Sequence, residues 1–399
     1  MKKSEIKTIN IIAILAVFVF SGAGSFMNAA VQTMIDAWPQ ISPSTIRLVT
    51  SLPSLVSMPV TIWIGFVAGK KISYRFCAIF GTMLILFGGA APAVFHTSWA
   101  IVLVFRGLVG VSVGFIAMRN SLIIDSVPED KQAAVIGYGA GLLNGGAILA
   151  GPLVGILVSY GWNYAFLYDL LAMIPLVMML LFLKEPEKEA AAAVTAGNAG
   201  DAAEKNDWRT WFYILLQFIM TAALYPLLSG MSTYMAYKGI GNAVIAGFSN
   251  STYNLIGLLI CLLISPIEKK LGKHMLWVMN FIFTCGMALI VFVPKVPVII
   301  IGAGLCGAAF NSVMALLQLY SGKTASARQV TLVSTMLIAA MSLGNFASVY
   351  FIDICQSIFR TGNDVQSTYI GSMLLYLILT VISLVIRVAP GEYLSLIHI

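Results

Sequence analysis

Charge is what this sequence has least of. Only 10% of its 399 residues are Asp, Glu, Lys or Arg, against about 25% in soluble domains. Hydrophobic residues make up 59%, and mean hydropathy is +0.93. A chain this apolar would not stay dissolved in water, so its solvent is mostly lipid. Histidine is also scarce: there are three, none inside an apolar run, which excludes a histidine relay within the membrane. The five cysteines (Cys77, Cys261, Cys285, Cys306, Cys355) are scattered without a C-x-x-C. They give neither a disulfide framework nor a zinc site, so no metal is expected, and they read as small apolar residues in packed helices. No G-x-x-x-x-G-K-[ST] occurs, so ATP-driven pumping has no support. The cluster of acids and histidines that an enzyme of lipid-linked substrates needs is missing too. The chain is expected not to be an enzyme.

What is present is a series of long apolar runs. They fall near 10–35, 45–68, 76–95, 98–120, 134–158, 163–183, 211–236, 243–267, 275–294, 297–320, 327–353 and 367–388. Strands of a membrane barrel alternate over about ten residues; these runs are continuous over about twenty, which is helix length. The expected fold is therefore an all-α polytopic membrane protein with twelve transmembrane helices in two six-helix halves. The first run follows Met1-Lys2-Lys3 but is too long for a signal peptide, and reads as a retained span. The expected domains are residues 1–183, a polar loop at 184–210 and residues 211–393. Residues 394–399 resemble a translated sequencing adapter and are set aside, His398 included.

The basic residues assign the sides. With a cytoplasmic N-terminus, eighteen Lys and Arg face inward, against four outward (Arg47, Lys238, Lys295, Arg360), with Arg106 inside a span. That bias places both termini and the central loop in the cytoplasm. The net charge of +7 is thus accounted for by topology, and no nucleic-acid partner is expected. Short basic hairpins at 65–75 and 265–274 follow the second span of each half, an echo expected of two parallel repeats in a transporter.

Arg106 is the most expensive residue in the chain. A guanidinium within a span costs about 2.5–3.5 kcal/mol on insertion scales. Gly110 and Gly114 lie four residues apart and share one helix face, where small residues let a neighbour approach closely. Two readings stand: a buried cation beside helices that move against each other, or an arginine snorkelling to the outer surface.

Several motifs carry a resemblance that spans essentially the whole chain. Arg106, Gly110 and Gly114 match an R-x-x-x-G-x-x-x-G pattern in the fourth span. Residues 65–75 resemble the loop motif G-x-x-x-D-[RK]-x-G-[RK]-[RK], with Gly65, Lys70, Lys71 and Arg75 in place. Gly69 stands where the aspartate is expected and Ile72 where a glycine is. Gly151, Pro152 and Gly155 are similar to G-P-x-x-G-G, with Ile156 in the last position. Gly161-Trp162 and Lys184-Glu185 bracket the sixth span in a familiar way. In this order the motifs resemble the major facilitator superfamily, and the Gly-Pro motif resembles that of its antiporters. Thr50-Ser51-Leu52-Pro53 and Asn120-Ser121-Leu122 resemble bacterial members, which implies a bacterial plasma membrane.

The resemblance implies gating and coupling roles. The missing loop aspartate leaves Lys70, Lys71 and Arg75 without an acid of their own; either Asp125, with Glu129 and Asp130, supplies the counter-charge, or the basic residues serve only as positive-inside signals. The Gly151–Pro152 motif implies a bend that seals an exporter's inner path; a plain glycine packing seam is the alternative. Asp169, inside the sixth span, is the main candidate for taking up protons, the alternative being a hydrogen-bonded structural acid; Arg106 is expected to partner an acid or to anchor an anionic substrate. Asp36 and Asp353 are expected at the interfaces. The substrate path is expected near the midplane, among Asn28, Gln32, Asn144, Gln217, Tyr225, Tyr253, Asn254, Asn311 and Asn345, which otherwise serve as interhelical hydrogen bonds.

The expected function is secondary active transport: export of small, often hydrophobic or drug-like molecules by alternating access. No cofactor is expected beyond a proton gradient, and the partners are a small-molecule substrate and the bilayer, with the chain a monomer. The alternatives are uptake of a sugar or other small metabolite, and a membrane sensor that binds without transporting.

Overall fold

The computed structural model describes residues 3–69, 71–185, 208–324 and 330–385. Lys70, most of the expected central loop and the expected adapter segment lie outside them. Among the described residues no β-strand forms; one isolated bridge pairs Ala68 with Ile72. The helices are α1 (Lys3–Val19), α2 (Val31–Ala37), α3 (Pro43–Val67), α4 (Tyr74–Leu84), α5 (Trp99–Ile116), α6 (Arg119–Ser126), α7 (Glu129–Val158), α8 (Met173–Phe182), α9 (Trp208–Lys238), α10 (Ala243–Leu262), α11 (Ile264–Leu271), α12 (Met275–Phe292), α13 (Val296–Thr324), α14 (Val330–Phe359) and α15 (Asp364–Val385). Eleven stretches are long and apolar enough to cross a membrane. A bent pair, Ile9–Val19 and Ala23–Ala37, makes a twelfth when its two helices are counted as one span. The protein is a multi-pass, all-helical membrane protein, as its runs of hydropathy require.

Contacts group the chain into two compact units, Met1–Ile41 with Leu48–Ala202, and Ser42–Arg47 with Ala203–Ile399. In the first unit, three spans depart from α-helical geometry. The first span bends by 46° after Val19, at Ser21-Gly22-Ala23-Gly24, and continues as a 3₁₀ turn over Ala23–Ala30. The third opens into a π turn at Ile85–Gly89. The sixth begins as 3₁₀ from Trp162 to Ala172, a long run for a geometry normally limited to three or four residues. By contrast, α7 is helical without interruption through Pro152.

Glycines set how closely the helices approach. A Cβ on Gly110 would come within 2.7 Å of the Pro53 carbonyl oxygen, and one on Gly114 within 2.5 Å of Val60 Cβ. The glycine face of α5 is therefore interlocked with α3 inside one unit, which makes it a packing seam and not a free sliding surface.

The second unit uses the same device. Gly344 faces the Phe218 carbonyl oxygen, and Gly302 approaches Gly286 across α12 and α13. It adds a ladder of hydroxyls. Tyr369, Ser372 and Tyr376 lie on one face of α15 and donate to the carbonyls of Leu227, Ala223 and Met220 on α9 at 3.2, 2.7 and 2.9 Å. In lipid a hydroxyl has no water to turn to, so a neighbouring backbone carbonyl is its available partner. The first turn of α3 is held in this unit: buried Arg47 meets Asp364 at 2.6 Å, and Ser44 donates to Asp353 at 2.6 Å.

The seam can be tested with two glycines of one helix. Gly114→Leu is expected to lower the stability of the detergent-solubilised protein by about 1–3 kcal/mol, the usual cost of overpacking. Gly107→Ala, whose Cβ meets nothing within 4 Å, should leave the melting temperature unchanged or slightly raised. Equal melting temperatures for wild type and both variants would refute the seam.

Candidate coupling site

Proline in a helix removes the N–H that its i−4 carbonyl would accept. Pro53 in α3 therefore orphans the carbonyl of Val49. A guanidinium carries five donors in a rigid plane, and Arg106, on the third turn of α5 and fully buried, supplies one of them: its Nε donates to Val49 O at 2.8 Å. Its Nη2 donates to Gly24 O at 2.8 Å and Ala23 O at 3.2 Å, carbonyls at the bend of the first span, where the α-helical ladder is interrupted. Its Nη1 lies 3.7 Å from Asp169 Oδ2. The side chain is turned inward onto three backbone carbonyls and an acid, so the snorkelling alternative fails.

Asp169 sits in the 3₁₀ stretch of the sixth span and is also fully buried. Neither of its carboxylate oxygens accepts a hydrogen bond among the described residues, and its ion pair with Arg106 is long. The carboxylate lies against Gly89, the last residue of the π turn, where a Cβ would overlap it. Beside it, Tyr168 donates to Gly146 O at 3.0 Å and packs edge-on against Phe26. The three irregular stretches of this unit thus converge on one buried arginine–aspartate pair. Chemically, the pair offers a carboxyl group that can hold or release a proton while Arg106 stays anchored by the backbone.

The other candidate residues are dispersed. Asn28 is buried in the 3₁₀ turn, with an Oδ1 that accepts no hydrogen bond among the described residues. Gln32 donates to Asp36 at 2.7 Å. Asn144, Asn254 and Asn311 each donate to the carbonyl four residues back on their own helix, so these bonds are not interhelical. Gln217 is buried and donates to Thr221. Tyr225 and Tyr253 are buried, and Asn345 is half-buried on α14. Gly151 and Gly155 are buried in α7, with Pro152 half-buried between them.

Of the pairing expected at 65–75, only Asp125 with Lys71 and Arg75 falls among the described side chains; Lys70 and the side chains of Glu129 and Asp130 lie outside them. Among the described residues no ion pair joins Asp125 to Lys71 or Arg75. Asp125 lies near the Tyr74 hydroxyl. The acid at the start of α4 is Glu185, whose two oxygens accept from the amides of Tyr74 and Arg75, both at 2.8 Å. A carboxylate on the first N–H groups of a helix satisfies orphan donors and meets the positive end of the dipole. The Arg75 side chain donates to Leu180 O at 3.0 Å. Gly69 has φ +73° and lies under the Tyr74 ring, 2.6 Å from where a Cβ would project. An aspartate there would sit in a strained left-handed backbone and would have to displace the Tyr74 ring. Sequence reasoning also missed Arg47, counted among the loop cations. Its only sequence signal is its place two residues inside an apolar run.

A sequence profile for the Major Facilitator Superfamily matches residues 9–349. A comparison with curated proteins finds no match. Among solved structures, a nucleoside transporter is similar, with 12% identity, TM-score 0.76 and coverage of 95% of this chain and 99% of that one. An auto-inhibited POT family peptide transporter has 14% identity and TM-score 0.72, covering 99% and 98%. A D-xylose-proton symporter has 14% identity and TM-score 0.69, covering 93% and 96%. At such identities the likeness is one of fold.

Arg106→Lys keeps the charge and loses the planar fork, so it cannot reach all three carbonyls. It is expected to destabilise the protein by roughly 3 kcal/mol, given that hydrogen bonds to charged groups contribute about 1.5–3 kcal/mol each. Chemical denaturation in micelles measures this; wild-type stability would sink the account.

Proposed function

The chain belongs to the Major Facilitator Superfamily, and from that premise we propose that it is a secondary active transporter that couples proton movement to export of small, often hydrophobic or drug-like molecules by alternating access. Asp169 is the proton-carrying group and Arg106 its partner. The membrane is a bacterial plasma membrane, both termini are cytoplasmic, and the working unit is a monomer.

The observation that carries this reading is the Arg106–Asp169 pair. A buried carboxylate with no hydrogen-bond donor of its own is expensive to keep when a fold needs it only for packing. Proton coupling is a use that accounts for an acid in this state. Arg106 does not depend on the acid alone, because Val49, Ala23 and Gly24 hold it in place. Asp169 can then change charge while the arginine stays where it is. Export is supported by the Gly151–Pro152–Gly155 motif, and the sidedness by the bias of basic residues.

The test is transport in proteoliposomes under an imposed pH gradient, with a panel of hydrophobic, sugar and metabolite substrates. Asp169→Asn is expected to abolish pH-driven accumulation while leaving counterflow of labelled substrate intact. Gradient-driven transport that survives Asp169→Asn refutes the coupling role. Movement toward the cytoplasmic side would establish uptake, and binding without counterflow would establish a sensor.

A further inference from the structure

Two buried arginines of this protein have carboxylates: Arg47 has Asp364 at 2.6 Å and Arg106 has Asp169 at 3.7 Å. A third does not. Arg119 opens α6, at the far end of the span that holds Arg106. Among the described residues it forms no ion pair and no hydrogen bond; its one recorded partner is the ring of Phe18, with the guanidinium carbon 5.4 Å from the centroid. Its Nε is sealed from solvent without an acceptor, while the residue as a whole is only half-buried, so the outer edge of the fork stays reachable.

The surroundings hold the group in this state. Phe18 lies against α7 at Gly139, where a Cβ would come within 2.6 Å of the ring, so the aromatic floor is fixed. Asp125, on the same helix, lies near the Tyr74 hydroxyl and forms no ion pair with Arg119 among the described residues. Gln132 spends its amide on the Ile124 and Val127 carbonyls. An aromatic face attracts a cation but accepts none of the in-plane N–H groups. A largely desolvated guanidinium with unused donors and one open edge is complementary to a planar or tetrahedral oxyanion, which it grips with two parallel hydrogen bonds.

We propose that Arg119, seated on Phe18, is an anion-binding site of the first unit that takes a carboxylate or phosphate group, separate from the Arg106–Asp169 pair. The anion comes from an amphiphilic solute or from a lipid headgroup. This inference does not rest on proton coupling and is read by binding alone.

The experiment uses the full chain in phosphatidylcholine nanodiscs, titrated by fluorescence with 2-naphthoate and its neutral analogue 2-naphthalenemethanol. Naphthoate is expected to bind more tightly than the alcohol. Arg119→Gln should weaken naphthoate by about tenfold or more, the loss of a charged hydrogen-bonded contact, and leave the alcohol unchanged. Arg119→Lys, which keeps the charge without the fork, should fall between them, and it serves alone if the glutamine variant does not fold. In a second arm phosphatidylglycerol is added to the discs. Displacement of naphthoate, with less phosphatidylglycerol retained by Arg119→Gln, identifies the occupant as lipid phosphate. Naphthoate affinity and phosphatidylglycerol retention that are the same in wild type and both variants would overturn the proposal.

Discussion

The first unit depends on one set of hydrogen bonds, those from Arg106 to the carbonyls of Val49, Ala23 and Gly24. In a hydrocarbon solvent a helix cannot be broken without leaving carbonyls that nothing else will satisfy. Pro53 breaks the ladder of α3, and the Gly22–Gly24 stretch breaks that of the first span. One planar cation with five donors satisfies the Val49 carbonyl and also binds the Ala23 and Gly24 carbonyls of the 3₁₀ turn. The charge that hydropathy scales count as a cost is what allows two irregular backbones to coexist in lipid. It also explains the tight seam beside it: for the guanidinium to reach Val49, α5 must approach α3 closely, and Gly110 and Gly114 permit that approach.

The second unit meets the same constraint with weaker groups in larger number. Hydroxyls of Tyr369, Ser372 and Tyr376 donate to α9 carbonyls at intervals along α15, with no arginine in the ladder. The bonds are spread along a helix pair and are neutral. The first unit concentrates its polar chemistry at a single charged centre, next to a carboxylate held loosely against Gly89. That contrast places the candidate chemistry in the first unit and leaves the second without a comparable buried arginine–aspartate centre away from its ends, among the described residues.

Local departures from family patterns have local causes. Gly69, where an acid is expected, has a left-handed backbone and lies under the Tyr74 ring, which an added side chain would have to displace. The counter-charge at the start of α4 comes from Glu185, 111 residues from Tyr74. In sequence this acid belongs to the end of the sixth span, and nothing in its spacing announces a partner so distant. Asp125 looked the better candidate because both loops were assigned to one side of the membrane, but sharing a side does not determine which acid reaches which amide.

The apolar runs by themselves determined the number, length and order of the membrane-spanning helices, because the bilayer demands about twenty apolar residues per crossing regardless of what packs against them. The R-x-x-x-G-x-x-x-G spacing determined that Arg106, Gly110 and Gly114 share a helix. Only the tertiary structure decided that Arg106 points inward, that Asp169 is the acid it meets, that the first, third and sixth spans abandon α geometry around them, and that Arg119 ends on a ring without an acid. Those outcomes depend on which carbonyls and side chains from distant segments arrive within hydrogen-bonding distance. Hydrophobic periodicity encodes how a helix sits in lipid and carries no record of its neighbours.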